Sequence, residues 1–179
     1  MTQDITITLP DGSKKQAPSG VSGAEIAGMI GAGLAKAAIA FEVNGEQRDL
    51  SDTVCEDSNI SIFTIDSDEG LEIMRHTVAA QVLARAIKNL YPSAKLAIGP
   101  TIDDGFYYDF LCDQTVSIDD LPRIEKEMKK IVASKDLIKK TIHSKDDAIK
   151  GFAALDESYK VKIIEDSDQE SDFQIYNQG

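Results

Sequence analysis

A helical pattern of apolar residues, followed by a hairpin pattern, occupies the middle of the chain. Between residues 71 and 90 the apolar side chains recur every three or four positions, which is typical of a helix with one core-facing side. These apolar residues are Leu71, Met74, Val78, Val82, Leu83, Ala86, Ile87 and Leu90. Tyr91-Pro92 is predicted to end the helix, because proline cannot continue it.

The stretch after this helix has the pattern of a β-hairpin. Residues 95–102 are apolar and partly β-branched, residues 103–105 read Asp-Asp-Gly, and residues 106–110 are an aromatic run. Two such runs separated by turn residues predict a hairpin, and Asp104-Gly105 is expected to supply the positive φ of a tight turn. The helix is therefore predicted to pack beside a hairpin.

The N-terminal third has the element order of a small mixed domain. The predicted elements are strands at 5–9 and 14–17, a helix capped by Ser22 or Gly23 and ended by Gly31 and Gly33, and strands at 37–43, 47–50 and 59–65. Asn44-Gly45 is typical of a type I′ turn between two of these strands. Two strands, a helix and three strands form the β-grasp order. The acidic residues 66–70 are then predicted to be a linker between two domains.

The C-terminal third alternates helical and strand patterns. The predictions are a helix through 121–132 capped by Ser117, Asp119 or Asp120, a strand at 137–142, a helix from Ser144 through Ala154, and a strand at 159–164. An acidic stretch and residues 173–179 follow. We expect this second domain to be truncated, because it ends in a polar tail with no closing core element.

The excess of acidic over basic residues limits the kinds of partner that this chain could bind. The 179 residues include 31 acidic and 19 basic side chains, so the net charge is −12. This charge argues for a soluble cytoplasmic protein that repels nucleic acid in bulk, and any contact with nucleic acid would need a local basic patch. Such a patch, or simply a solvated helix face, is offered by lysines at 126, 129, 130, 135, 139 and 140.

The sequence shows no pattern typical of a disulfide framework, a zinc site, a secretion signal or a membrane helix. Cys55 and Cys112 lie in different segments without metal-ligand spacing, which predicts neither a disulfide framework nor a zinc site. The first residues, Met-Thr-Gln-Asp, lack the basic and apolar regions of a secretion signal. No apolar run reaches the roughly 18 residues of a membrane helix, so no membrane partner is expected.

Two histidines are the candidates for acid–base chemistry. His76 stands on the central helix, and the position four residues on is Ala80 rather than a second histidine. A pair at that spacing would place two imidazoles on one helix face, as a relay or metal site needs. A single histidine is also consistent with a partly buried side chain bonded to backbone or to a tyrosine. His143, at a predicted strand end, is interpreted as a surface or capping residue.

Short sequences in both predicted domains carry a resemblance to a known family. The run LAIGPTIDDGFYYDF at 96–110 resembles the opening of the editing domain of bacterial threonyl-tRNA synthetases, and the similarity extends to the SYKV run at 158–161. The LPDGS turn, the Asn44-Gly45 hairpin and the NISIFT strand resemble a TGS domain, a ubiquitin-like β-grasp module. The implied fold is α+β, with a TGS domain at 1–65, a linker at 66–70, and an editing domain at 71–179. The second domain would be the one common to threonyl- and alanyl-tRNA synthetases.

The resemblance implies a role in correcting mischarged tRNA. In that family the editing domain hydrolyses seryl-tRNA made in place of threonyl-tRNA, because one methyl group discriminates by only about 1 to 3 kcal/mol. His76 matches the first histidine of the family's His-x-x-x-His pair, and Lys160 matches a lysine of the editing pocket. Tyr107 and Tyr108 match aromatic residues that line it. For Lys160, a solvated lysine at a strand start is the alternative.

Two departures from the family pattern bear on activity. Ala80 replaces the second histidine, and the chain stops before the family's Cys-x-x-x-His element. We therefore expect this segment alone to be a weak or inactive hydrolase, and whether it is an enzyme stays open. Aminoacylation, with its ATP, magnesium and zinc, would belong to a catalytic domain that this segment does not encode. No cofactor and no metal are expected here.

The sequence is thus interpreted as the N-terminal part of a threonyl-tRNA synthetase. Its expected partners are threonine-specific tRNA and the remainder of the synthetase, with no membrane and no DNA. The alternative is a freestanding, non-catalytic adaptor that binds tRNA or a synthetase, and loss of the second histidine favours it. A TGS-bearing regulatory GTPase or stringent-response factor fits poorly, because those proteins lack the central helix and its aromatic hairpin. The TGS module itself either binds RNA or protein, or serves only in packing.

Overall fold

The computed structural model describes residues 3–179, and the chain divides into two compact units. One unit runs to Met74 and the other from Arg75 to Gly179. Residues 1 and 2, which open the predicted first domain and the stretch tested for a secretion signal, lie outside the described residues. Each unit has its own hydrophobic core.

The first unit is a five-stranded mixed sheet crossed by a helix. Its elements are β1 (Asp4–Thr8), β2 (Lys14–Pro18), β3 (Val21–Ser22), α1 (Gly23–Ile30), α2 (Ala32–Ala37), β4 (Ala38–Val43), β5 (Glu46–Asp49), β6 (Thr53–Val54) and β7 (Ser58–Thr64). The strand order is β2-β1-β7-β4-β5, with β1 and β7 parallel. This arrangement confirms the predicted β-grasp order, although the short helix α2 and the β3–β6 ribbon were not predicted.

Local sequence signals place the turns and the helix of this unit. Ser22 caps α1, and its hydroxyl and backbone exchange hydrogen bonds with Glu25 in a capping box. Asn44 and Gly45 both have positive φ, 53° and 90°, as the predicted type I′ turn requires. The core beneath the sheet includes Ile7 and Phe41, which are fully buried.

The central helix spans residues 68–90 and changes its winding midway. It consists of α3 (Asp68–Thr77), a π-helical stretch (Val78–Leu83) and α4 (Ala84–Leu90). The backbone N–H of Ala84 donates to the carbonyl of Ala79, five residues back, which marks the wider turn. The helix begins at Asp68, so residues 68–70 of the predicted linker are helical. Its predicted end at Tyr91-Pro92 is confirmed.

The predicted hairpin forms, but its turn differs from the prediction. It contains β8 (Lys95–Leu96), β9 (Thr101–Ile102), β10 (Gly105–Phe106) and β11 (Phe110–Leu111), with β9 paired to β10 and β8 paired to β11. Gly105 pairs directly with Ile102, and neither Asp104 nor Gly105 has positive φ. The prediction of a positive φ at Asp104-Gly105 was therefore wrong, because Gly105 already belongs to a strand.

The C-terminal elements complete the second unit. They are a 3₁₀ turn at Ile118–Asp120, α5 (Leu121–Ser134), β12 (Ile138–His143), α6 (Lys145–Ala154), α7 (Ser158–Glu165) and β13 (Phe173–Gln178). Ser144 caps α6, as predicted. Ser117 caps the 3₁₀ turn rather than α5, and Asp120, the residue before α5, makes no side-chain capping hydrogen bond to that helix. The expectation that the chain ends in a polar tail without a closing element was wrong, because residues 173–178 form β13, which pairs antiparallel with β12 over six residues.

Residues 159–164 form a helix, so the strand predicted there was wrong. The alternation of Tyr159, Val161 and Ile163 suggested one buried strand face, yet Tyr159 and Ile163 are exposed. Ile164 is buried and Val161 is half-buried. Burial at a spacing of three is helical, and packing against the rest of the unit overrides the β-branched local preference.

Candidate functional site

His76, the first candidate residue, lies in the last turn of α3 and is exposed. Within residues 3–179, no hydrogen bond or ion pair holds its imidazole, so the alternative of a partly buried, bonded histidine is wrong. Ala80 lies four residues on, inside the π-helical stretch. Because a π-helical turn is wider than an α-helical turn, the relation between these two positions departs from regular i,i+4 spacing.

Tyr107 and Tyr108 point to different environments although they are neighbours. Tyr107 is 60% exposed. Tyr108 is half-buried and packs against the apolar cluster beneath the hairpin. Its ring covers Gly99, where a Cβ would lie only 2.7 Å from the ring atom Cε2. Burial, and secondly the negative charge of Glu157, raise the pKa of the Tyr108 phenol, so it stays a neutral O–H donor at neutral pH.

Lys160 lies in the first turn of α7 and is half-buried, rather than at the start of a strand. Its ammonium group stands 5.7 Å from the ring centroid of Phe152 in α6, a cation–π distance. Burial lowers the pKa of the Lys160 amine, Glu157 acts against that by raising it, and Lys88 lowers it further. The alternative of a fully solvated lysine is therefore wrong.

A buried carboxylate at Glu157 joins these groups, and the sequence had not singled it out. Glu157 immediately precedes α7 and is only 5% exposed. One carboxylate oxygen pairs with the ammonium of Lys88 in α4 at 2.8 Å. The other accepts a hydrogen bond from the backbone N–H of Leu96 in β8 at 3.3 Å. A buried charge persists only when it is paired and hydrogen-bonded, and Glu157 is both.

The residue before Glu157 is fixed as well. Asp156 has a left-handed backbone, with φ of 57°. The ammonium of Lys95 in β8 donates to its carbonyl oxygen at 2.7 Å and pairs with its carboxylate. Lys95 thereby holds the pKa of the Asp156 carboxyl below its ordinary value. Two lysines thus tie the α6–α7 loop to the helix and the hairpin.

The structure brings together some of the predicted site residues and not others. Glu157 raises the pKa of both Tyr108 and Lys160, so two residues far apart in the sequence share the influence of one carboxylate. We call Glu157, Lys88, Lys160 and Tyr108 the Glu157 cluster. In the part of the chain that the structure describes, no hydrogen bond or ion pair connects His76 or Tyr107 to that cluster.

The lysines predicted as a basic patch are partly neutralised. On α5, Lys129 pairs with Glu125 at 2.8 Å and Lys130 pairs with Glu127 at 2.7 Å. Both side chains of the Lys129–Glu125 pair are exposed, whereas the Glu127 side chain is only 16% exposed. His143 bonds the hydroxyl of Thr141 at 2.9 Å, consistent with a local role at the strand end. The α5 surface therefore has the character of a solvated face more than of a continuous basic patch.

The described part of the chain contains neither a metal-binding cluster nor a helix that could span a membrane. Among residues 3–179, no group of three or more His, Cys, Asp or Glu side chains could hold a metal ion. No helix in that range is long and apolar enough to cross a membrane. Cys55 is exposed and Cys112 half-buried, and both are free thiols. The expectation that ATP, magnesium and zinc belong elsewhere stays an expectation.

Comparison with known proteins identifies both halves of the chain. The TGS domain family matches residues 5–64. The threonine–tRNA ligase of Sinorhizobium fredii is 42% identical over 179 residues, which are 100% of this chain and 27% of that ligase. The threonine–tRNA ligase of Pelobacter propionicus is 45% identical over 175 residues, covering 98% of this chain and 27% of the ligase. The ligase of Halalkalibacterium halodurans is 41% identical over 181 residues, covering 100% and 28%.

The chain spans little more than a quarter of the length of the curated relatives it matches. The match is nevertheless continuous, from the β-grasp unit through the hairpin to the last strand. The resemblance inferred from the aromatic hairpin and the TGS turns is thereby confirmed. The chain carries a TGS domain, and over its whole length it is similar to the N-terminal region of the threonine–tRNA ligases.

Proposed function

We propose that this chain serves a threonine–tRNA ligase as its tRNA-binding and editing portion, acting on seryl-tRNA that was charged by error. The observation that carries the proposal is the identity of 41 to 45% over the full chain to such ligases. Two residues that the resemblance placed in the editing pocket, Tyr108 and Lys160, belong to the Glu157 cluster, and this supports the proposal. Charging of tRNA with threonine would need the remaining three quarters of a ligase.

The chemistry asked of the site is hydrolysis of an ester. A water oxygen attacks the carbonyl carbon of the seryl group, the bond from that carbon to the ribose oxygen breaks, and the ribose oxygen takes a proton. The transition state carries negative charge on the carbonyl oxygen, which an ammonium group and a phenol hydroxyl can stabilise. Lys160 and Tyr108 are groups of these two kinds, held in a half-buried setting where water screens such interactions less.

The weak point of the site is the proton-transfer group. Positioned general acid–base catalysis contributes about 100-fold to 10,000-fold. His76 is the sole imidazole on the central helix, and Ala80 offers only a methyl group at the position of the family's second histidine. The chain alone is therefore expected to bind seryl-tRNA and to hydrolyse it slowly.

The test is gain of function at position 80. Threonine-specific tRNA that carries serine is incubated with the chain, and hydrolysis of the ester bond is followed under single-turnover conditions. Ala80→His is expected to raise the rate at least about tenfold, and Ala80→Gln, which fills similar space without an imidazole, is the matched control. Threonyl-tRNA is the substrate control. No binding of seryl-tRNA by any variant, together with no gain in Ala80→His, would overturn the editing role.

The second candidate is a non-catalytic adaptor, and Ala80 is the observation that favours it, since a site without catalytic demand can lose an imidazole. The size of the native polypeptide separates the two. An antibody against this chain would detect, in the adaptor case, a species at 19.5 kDa. A much heavier species, with peptides that continue past Gly179, supports the ligase.

A further inference from the structure

We propose that Glu157 is a positioning residue, which holds the Lys160 amine and the Tyr108 phenol in register with each other across α7, α4 and the hairpin. The inference rests on the proposed editing function for its biological meaning, but its physical content concerns the Glu157 cluster alone. Glu157 itself need not touch a substrate, because both of its oxygens already have partners within the protein.

The first step is the anchoring of α7. The backbone N–H of Glu157 donates to the carbonyl oxygen of Phe152 at 3.0 Å, and the Glu157 carbonyl oxygen accepts from the backbone N–H of Val161 at 3.1 Å. The main chain at Glu157 thus ties the end of α6 to the first turn of α7. Lys160 lies three residues further on, in the first turn of α7.

The second step is the attachment of that anchor to the elements that carry Tyr108. The Glu157 carboxylate bonds Leu96 in β8, and β8 pairs with β11 through Leu96 and Phe110. Tyr108 lies two residues before Phe110. A single buried side chain therefore fixes the start of α7 to the hairpin strand pair that positions the phenol.

The third step is the balance of charge around the Lys160 amine. The charged groups from the neighbouring elements are Glu157 itself, Lys88 from α4, and the Lys95–Asp156 pair between β8 and the α6–α7 loop. Glu157 raises the pKa of Lys160, whereas Lys88 lowers it. Removing the charge of Glu157 and removing the charge of Lys88 should therefore shift the pKa of Lys160 in opposite directions.

The test measures the titration of Lys160 in the intact chain. Trace acetylation with acetic anhydride is carried out across the alkaline pH range, and the modified Lys160 peptide is quantified by mass spectrometry. Glu157→Gln keeps an oxygen that can accept from Leu96 but removes the charge, so the pKa of Lys160 is expected to fall. Lys88→Gln is expected to raise it. Glu165→Gln, at the exposed end of the same helix, is the matched control and is expected to leave it unchanged.

A merely structural role predicts a different result. If a substitution only loosened α7, Lys160 would become more exposed, and its pKa would rise towards the ordinary value in Glu157→Gln as well. A rise or no change in Glu157→Gln therefore overturns the inference. If Glu157→Gln does not fold, Glu157→Asp decides, because withdrawing the carboxylate should lower the pKa of Lys160 whereas loosening α7 should raise it. A rise or no change in Glu157→Asp overturns the inference.

A binding measurement connects the cluster to the proposed function. The probe is a seryl-adenosine analogue in which an amide replaces the scissile ester, titrated calorimetrically against the chain. Glu157→Gln is expected to weaken its binding by about tenfold or more, because small misplacements of a contacting group are costly. Equal affinity in wild type and Glu157→Gln would overturn the positioning role. A wild-type chain that binds no analogue would overturn the editing function, and the Lys160 titration would then decide the inference by itself.

Discussion

Replacement of Gly99 by alanine should disturb the aromatic hairpin specifically. A Cβ at Gly99 would lie 2.7 Å from Cε2 of the Tyr108 ring and closer still to Cδ2, whereas ordinary contact begins at 3.4 Å. The carbonyl oxygen of Tyr107 would also lie within 3.3 Å. The Tyr108 ring has to move as a whole, because the ring is rigid. The Tyr107 carbonyl beside it limits the directions in which the new methyl group can be accommodated.

The expected size of the effect follows from this geometry. Overpacking a well-packed site costs about 1 to 3 kcal/mol. Tyr108 is half-buried, so its ring can move partly towards solvent, and we expect a loss of about 1 to 2 kcal/mol in the free energy of unfolding. The phenol should then leave the setting that raises its pKa, and the pKa of Tyr108 should fall towards the ordinary value of a tyrosine.

The assay is urea unfolding followed by far-UV circular dichroism, with tyrosine absorbance titrated in parallel. Gly151→Ala is the matched control within the same unit, because Gly151 lies inside α6 and a Cβ there meets nothing within 4 Å. That control is expected to gain about 0.5 to 1 kcal/mol, since alanine favours helix. If the two units unfold separately, only the transition of the second unit should shift. A Gly99→Ala chain as stable as wild type, with an unchanged Tyr108 titration, would refute the reasoning.

The first unit offers further tests. Gly70→Ala should cost several kcal/mol, because its Cβ would lie 2.6 Å from the backbone carbonyl carbon of Thr64, whereas Gly28→Ala, with open space around it, should gain about 0.5 to 1 kcal/mol in the same urea titration. Ser22→Ala should lose about 1 kcal/mol of stability at neutral pH, typical of a lost helix cap. The backbone N–H of Ser22, and secondly its hydroxyl, donate to the Glu25 carboxylate and lower its pKa. The hydroxyl's share of this stabilisation is present above the unfolded value of 4.5 and is lost as the pH falls through the folded value. The difference between wild type and Ser22→Ala should therefore shrink in acid, and a difference that grows in acid would contradict the assignment.

Much of the fold could be predicted because its signals are local. The capping box at Ser22, the positive φ values at Asn44-Gly45 and the stop at Tyr91-Pro92 each depend on residues within a few positions of one another. Such signals need no knowledge of distant contacts. The prediction failed where local preference and tertiary packing disagreed. Residues 159–164 look β-branched and alternating, but burial at helical spacing determines their conformation.

The candidate site divides in the same way. The sequence by itself determined the β-grasp order, the helix and hairpin pair, and the resemblance that singled out Lys160 and Tyr108, because composition and short-range spacing carry that information. It could not show that Glu157 is buried, that Lys88 neutralises it, or that it raises the pKa of both Lys160 and Tyr108. Those facts depend on which side chains meet across α4, β8 and α7. Only the tertiary structure decided them, because a buried ion pair joins residues 69 positions apart in the sequence and no local pattern specifies that contact.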